Sequence, residues 1–188
     1  MPKTGTTAIE MALRPAAGIA ITDPPVMKHT PLYRYQRFLK PYFEKGGGAD
    51  FETMAVVREP VDWLGSWYRY RQRPELEGHP NSTRDISFDA FVRAYLKRQR
   101  PSFAQVGSQA KFLQDKDGRI GVTHLFRYEA QEAIRGFLEA RTGRRLQLRR
   151  LNESPARDLA LRPRLRERLR DECAEEFEAW EMASAGAA

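Results

Sequence analysis

At 188 residues the chain has the length of one ordinary domain with room for a sizeable core. A hydrophobic share of 41% with 11% aromatics excludes a disordered chain, and no apolar run reaches membrane-spanning length. The formal charge of +7 favours an anionic partner without choosing among phosphate-bearing ligands, nucleic acid and acidic polymers. Cys173 stands alone, which rules out an internal disulfide and a cysteine-rich metal site. His29, His79 and His124 are not at metal-ligand spacing, so no metal is expected. With no signal peptide before the first motif, a cytoplasmic location is expected.

The chain opens on Met1-Pro2-Lys3-Thr4-Gly5-Thr6-Thr7. Pro2 fixes one dihedral and Gly5 permits a backbone conformation closed to other residues. Thr6 and Thr7 supply hydroxyls and N-cap character where a helix over about 6–17 begins. Successive N–H groups at such a start form an anion nest, and Lys3 adds a mobile charge. The lysine precedes the glycine, so the Walker order Gly-x4-Gly-Lys-Ser/Thr is absent.

Gly18 to Thr22 is short and β-branched, and reads as a buried strand closed by Asp23-Pro24-Pro25. Lys28-His29 lies in the connection that follows. Pro31 opens an aromatic, arginine-rich helix to about Leu39, and Lys45 to Asp50 reads as a loop. Phe51 to Val57 contains Met54-Ala55-Val56-Val57, a continuous apolar run suited to a central strand covered on both faces. Arg58-Glu59-Pro60 follows at once, so Arg58 lies at the carboxyl edge where open α/β sheets bind ligands.

A helix over Val61–Arg71 carries Ser66 on the face shared with Asp62 and Arg69. Its Trp63, Trp67, Tyr68 and Tyr70 fall at helical spacing and read as core packing. Polar loops at 73–86 and 100–108 flank a helix from Phe88 to about Gln99 capped by Ser87, and a short helix passes through Gln109 and Leu113. Asp115 to Gly118 is a turn. Val122 to Phe126 is a strand ending Arg127-Tyr128-Glu129, and Ala130 to Arg141 a helix stopped by Gly143. Basic residues 144–150, a break at Asn152-Glu153-Ser154-Pro155, and helices to about Met182 complete the chain. The alternation of strands and helices predicts a single α/β domain over 1–188 with a parallel core sheet.

Several of these stretches, in this order, resemble the sulfotransferases that use 3′-phosphoadenosine 5′-phosphosulfate (PAPS), their carbohydrate-type and bacterial members in particular. Pro2-Lys3-Thr4-Gly5-Thr6-Thr7 resembles that family's 5′-phosphosulfate loop. Val56-Val57-Arg58-Glu59-Pro60, with Ser66 eight residues beyond the arginine, resembles its 3′-phosphate site. Leu125-Phe126-Arg127-Tyr128-Glu129 is similar to a later strand ending near the nucleotide, and Lys28-His29-Thr30 and Leu151-Asn152-Glu153-Ser154 to weaker segments. The resemblance spans residue 2 to about 180.

The resemblance implies a P-loop-like three-layer domain with a central parallel sheet flanked by helices. It further implies a sulfotransferase moving a sulfuryl group from PAPS to an acceptor hydroxyl, of a carbohydrate or small molecule. The cofactor-binding residues would be Lys3, Thr4, Gly5, Thr6, Thr7, Arg58, Ser66 and Tyr128, with Lys3 and His29 catalytic. Family members place a hydrophobic strand directly before the loop, so an upstream strand is expected to be missing here. A P-loop nucleotide kinase is the competing enzyme reading, disfavoured by the loop order. A basic nucleic-acid-binding module competes from another class, but its arginines are interleaved with acids and no zinc-finger or RNP signature accompanies them.

Overall fold

The computed structural model describes residues 1–47, 51–148 and 159–184. Helices α1 (Thr6–Leu13), α2 (Pro25–Lys28), α3 (Leu32–Arg34) and α4 (Lys40–Gly47) precede strand β1 (Met54–Val57). Helices α5 (Pro60–Tyr70), α6 (Phe88–Tyr95) and α7 (Gln109–Leu113) lead to strand β2 (His124–Arg127). Helices α8 (Gln131–Thr142), α9 (Pro163–Glu172) and α10 (Ala174–Met182) follow. The architecture is mixed helix and sheet. Among the described residues the sheet has two parallel strands, with Met54 opposite His124 and Val57 opposite Arg127.

The chain divides into two compact units. The first comprises Met1–Arg58 and the stretches beginning at Ser108 and Ala179. Its core lies on both faces of β1, because successive strand residues point opposite ways. Val57 packs with Met1, Ala110, Leu113, Ala179 and Ala183. Val56 packs with Phe126, Ile134, Leu138 and Leu146. The apolar run thus reads correctly as a strand covered on two sides. Among the described residues its expected central place is not seen: there β1 pairs with β2, whereas β2 carries one further parallel bridge from Phe126 to Ser184.

The second unit comprises Glu59–Gly107 and the stretch ending at Glu178. Its core is aromatic, built on Trp63, Tyr68, Phe88, Phe91, Tyr95 and Phe177. Trp63 and Tyr68 therefore pack as helical spacing predicts. Ser87 caps α6, its hydroxyl accepting from the Ala90 N–H at 3.2 Å. Arg71, 7% exposed, donates to the carbonyls of Ser102 at 2.7 Å and Gln105 at 3.1 Å, holding the following loop by its backbone.

Several expectations are corrected. Residues 18–22 form no strand, and Ile19 is 64% exposed. A five-residue β-branched run has strand propensity, but a strand exists only where another offers a ladder. Helix does not stop near Leu39: a π-turn over Tyr35–Leu39 joins α3 to α4, and helix continues through Lys45 to Gly47. Pro41 lies just past this π-turn. Its ring crowds the carbonyl one turn earlier and it lacks an N–H, and the wider i→i+5 turn just before it absorbs the mismatch without ending the helix. Helix α6 ends at Tyr95 rather than near Gln99. Residues 48–50 and 149–158, including Asn152 to Pro155, lie outside the described residues.

Candidate anion-binding site

The loop before α1 is built from two left-handed residues. Lys3 has φ 67° and Gly5 φ 73°, and Gly5 is the helix N-cap. For Gly5 this conformation is free of steric cost, whereas for Lys3 it costs on the order of 1–2 kcal/mol. A left-handed Gly5 followed by right-handed helix turns successive N–H groups to one side, the nest that favours anions. The Ala8 and Ile9 N–H groups already donate to the Gly5 carbonyl, at 3.0 and 3.3 Å. Those of the first helical residues, Thr6 and Thr7, have no intrahelical acceptor by geometry.

The hydroxyls depart from expectation. No threonine caps α1. Thr4, 1% exposed, donates its hydroxyl to the Met1 carbonyl at 2.9 Å, and Thr6 donates to the same oxygen at 3.2 Å. Both side chains brace the loop from inside, and what they offer a ligand is backbone.

Arg58, fifty-five residues later, meets this loop. Its Nη1 donates to the Lys3 carbonyl at 3.4 Å, and its guanidinium lies over the Tyr128 ring, 4.4 Å from the centroid. Tyr128 is fixed in turn by its N–H, which donates to the Val57 carbonyl at 2.6 Å. A Cβ on Gly5 would stand 3.2 Å from Tyr128 Cε2, so the loop fits closely against that ring. Lys3, Gly5, Arg58 and Tyr128 therefore form one cluster at the carboxyl ends of β1 and β2.

Beneath it sits a residue that sequence reading missed. Gln109, fully buried, accepts from the Arg58 N–H at 3.0 Å and donates its amide to the Arg58 carbonyl at 2.9 Å. The side chain thereby continues the ladder past the end of β1 and fixes the backbone from which the guanidinium projects. Sequence carried no signal for it, since α7 read only as a short helix. Ser108 caps that helix, its hydroxyl accepting from the Lys111 N–H at 3.1 Å.

His29 follows α2 and is half-buried. Burial first, then the positive charges of the N-terminal amine, Lys28 and Lys3, push its pKa down from 6.5 to about 4. It is therefore neutral at pH 7. The carboxylates one would try next as a base are engaged. Glu10 is held ionised by Lys28 at 2.7 Å and Arg14 at 2.7 Å, its pKa lowered chiefly by the Lys28 contact. Glu59, in the second unit, caps α5 by accepting from the Asp62 N–H at 2.8 Å and pairs with Arg166 at 3.3 Å.

Ser66 belongs to the second unit, midway along α5 and 9% exposed. His124, in β2, packs its ring 4.6 Å from that of Phe137, and exposed His79 accepts from the Asn81 N–H at 3.1 Å. A cleft of about 820 Å³ in the first unit, lined by Val122, His124, Phe137 and Met182 among others, shares no residue with the cluster. Among the described residues no helix is long and apolar enough to cross a membrane. Compared with protein-family models, curated proteins and solved structures, the chain matches none of them.

Proposed function

We propose that the cluster binds the 5′-phosphosulfate and 3′-phosphate groups of PAPS and that the protein transfers the sulfuryl group to an acceptor hydroxyl. The observation that carries this reading is the meeting of Arg58 with the Lys3 loop, a 3.4 Å hydrogen bond between segments far apart in sequence. A nest of backbone N–H groups, the Lys3 ammonium and a guanidinium braced on Tyr128 suit a ligand with two separated anionic groups. The finer fold in this reading is a P-loop-like three-layer domain with a central parallel sheet, of which β1 and β2 are two strands.

The chemistry then runs in line. The acceptor oxygen bonds to sulfur as the bond from sulfur to the 5′-phosphate oxygen breaks, and that oxygen leaves on adenosine 3′,5′-bisphosphate. Lys3 stabilises the charge growing on the leaving oxygen. His29 takes the hydroxyl proton. At pH 7 it is in the neutral form that can accept one. The donor's negative charge offsets Lys3 and Lys28, so binding raises the basicity of His29 towards its task. Positioning and charge stabilisation supply the acceleration, and no step calls for a metal.

Melting temperature in the presence of adenosine 3′,5′-bisphosphate, of ATP with magnesium, and of neither tests the reading. A ligand at a hundred times its Kd stabilises by about 2.7 kcal/mol, roughly 5–10 °C for a chain of this size. Stabilisation by the bisphosphate alone is expected. Stabilisation by magnesium-ATP alone supports a nucleotide kinase instead, and no shift with either removes the proposal.

A further inference from the structure

We propose that the outer face of the helix running from α3 through the π-turn into α4 is an interfacial anchor that lies on an anionic phospholipid surface. This helix has two different sides. On the inner side Leu32 is buried, close enough to touch a Cβ placed on Gly121 at 3.1 Å. Tyr35, Leu39 and Phe43 are half-buried, and Phe43 meets the Phe51 ring edge-on at 5.5 Å. On the outer side Tyr33, Phe38 and Tyr42 are 42%, 62% and 72% exposed.

The π-turn aligns this outer set. Five residues separate Tyr33 from Phe38, a spacing that a regular α-helix sends to different faces, whereas an i→i+5 turn brings them towards one. Tyr42 follows Phe38 at the ordinary four-residue step. The rings form a stripe rather than a scatter.

Charge identifies the partner. The segment Leu32–Gly47 carries Arg34, Arg37, Lys40 and Lys45 against one carboxylate, Glu44. Arg34 lies over the Tyr33 ring at 5.7 Å and Arg37 over the Phe38 ring at 5.2 Å, so guanidinium and aromatic sit at one level. That is the arrangement a headgroup boundary requires, with rings entering the acyl edge and cations meeting phosphates. In α2, Val26 and Met27 are also 59% and 47% exposed. Phe38, 62% exposed, has no polar atom with which to pair sugar hydroxyls, which favours lipid over an acidic polysaccharide. The helix is far too short and too charged to span a bilayer, so it lies on the surface.

Co-sedimentation of the whole chain with phosphatidylcholine vesicles and with mixed phosphatidylcholine–phosphatidylserine vesicles tests this. Binding to the mixed vesicles is expected to be at least roughly tenfold tighter and to weaken with salt. The double variant Phe38→Ser, Tyr42→Ser loses that binding, and Arg34→Glu with Arg37→Glu loses it independently. Both changes are at exposed positions, and an unchanged melting temperature and bisphosphate affinity confirm that the fold and the anion site survive. Equal binding to both vesicle types, or binding that survives both variants, overturns the proposal. So does a dimer that Phe38→Ser, Tyr42→Ser converts to monomer, which assigns the face to a second copy. Tighter binding to heparin or a single-stranded RNA oligonucleotide than to the mixed vesicles assigns it to that polymer.

Discussion

The two units put the same residue types to different uses. In the second, aromatic rings fill a core: Phe91 is fully buried and Tyr95 2% exposed, their neighbours aromatic on several sides. In the first, Tyr128 carries a guanidinium on its face and closes against a glycine. The same contrast holds for arginine. Arg71 is buried to tie down backbone carbonyls, whereas Arg58 is presented beside a strained loop. Strain concentrates in one unit too: the non-glycine residue with positive φ among the described residues is Lys3, at the head of the candidate site. The strained residue thus lies in the unit that carries the candidate site.

The largest separation between them comes from Phe91→Ala. Emptying that position costs about 3–5 kcal/mol of stability, read by urea unfolding, with bisphosphate affinity of the folded fraction unchanged. An equal loss of affinity would erase the distinction between the units. Lys3→Ala has the opposite signature. The barrier to sulfuryl transfer rises by on the order of 3–4 kcal/mol, while the melting temperature holds and donor binding falls less than turnover. Equal losses in rate and affinity would make Lys3 a binding residue only.

Gln109→Leu sharpens the comparison from beneath. It removes the two hydrogen bonds that the Gln109 amide makes to the Arg58 N–H and carbonyl, at about 1–3 kcal/mol each. It should weaken bisphosphate binding while Lys3, Arg58 and Tyr128 all remain. A Gln109→Leu variant that binds normally would show that the clamp serves the fold alone.

A smaller effect follows from His29. Its pKa is depressed to about 4, so between there and 6.5 the unfolded chain binds a proton that the native state does not. Its contribution to stability therefore falls as pH drops from 6.5 towards 4. Denaturant unfolding at pH 7 and pH 5 should show a smaller acid loss for His29→Gln than for the parent. An identical loss would place the acid sensitivity elsewhere.

Much of this was legible in the sequence because the signals are local. The apolar run Met54–Val57, the arginine ending it, the cap Ser87, and Gly143 in the left-handed position closing α8 all announce themselves within a few residues. What escaped depends on distant partners. Residues 18–22 have strand composition and no ladder to join. The helix expected to end near Leu39 runs on past Pro41 by way of the π-turn. Thr4 and Thr6 look like ligand-facing hydroxyls, yet fold back on the Met1 carbonyl. Gln109 acquires its role only when α7 is brought to the end of β1.

In the proposed function Lys3 and Arg58 grip the two phosphate groups of one nucleotide. Calorimetric titration of adenosine 3′,5′-bisphosphate into the parent chain and into Arg58→Ala tests it most directly. Saturable one-to-one binding by the parent, weakened by about 1.5–3 kcal/mol in the variant, is the predicted result. Binding of equal strength in both, or none in the parent, contradicts it.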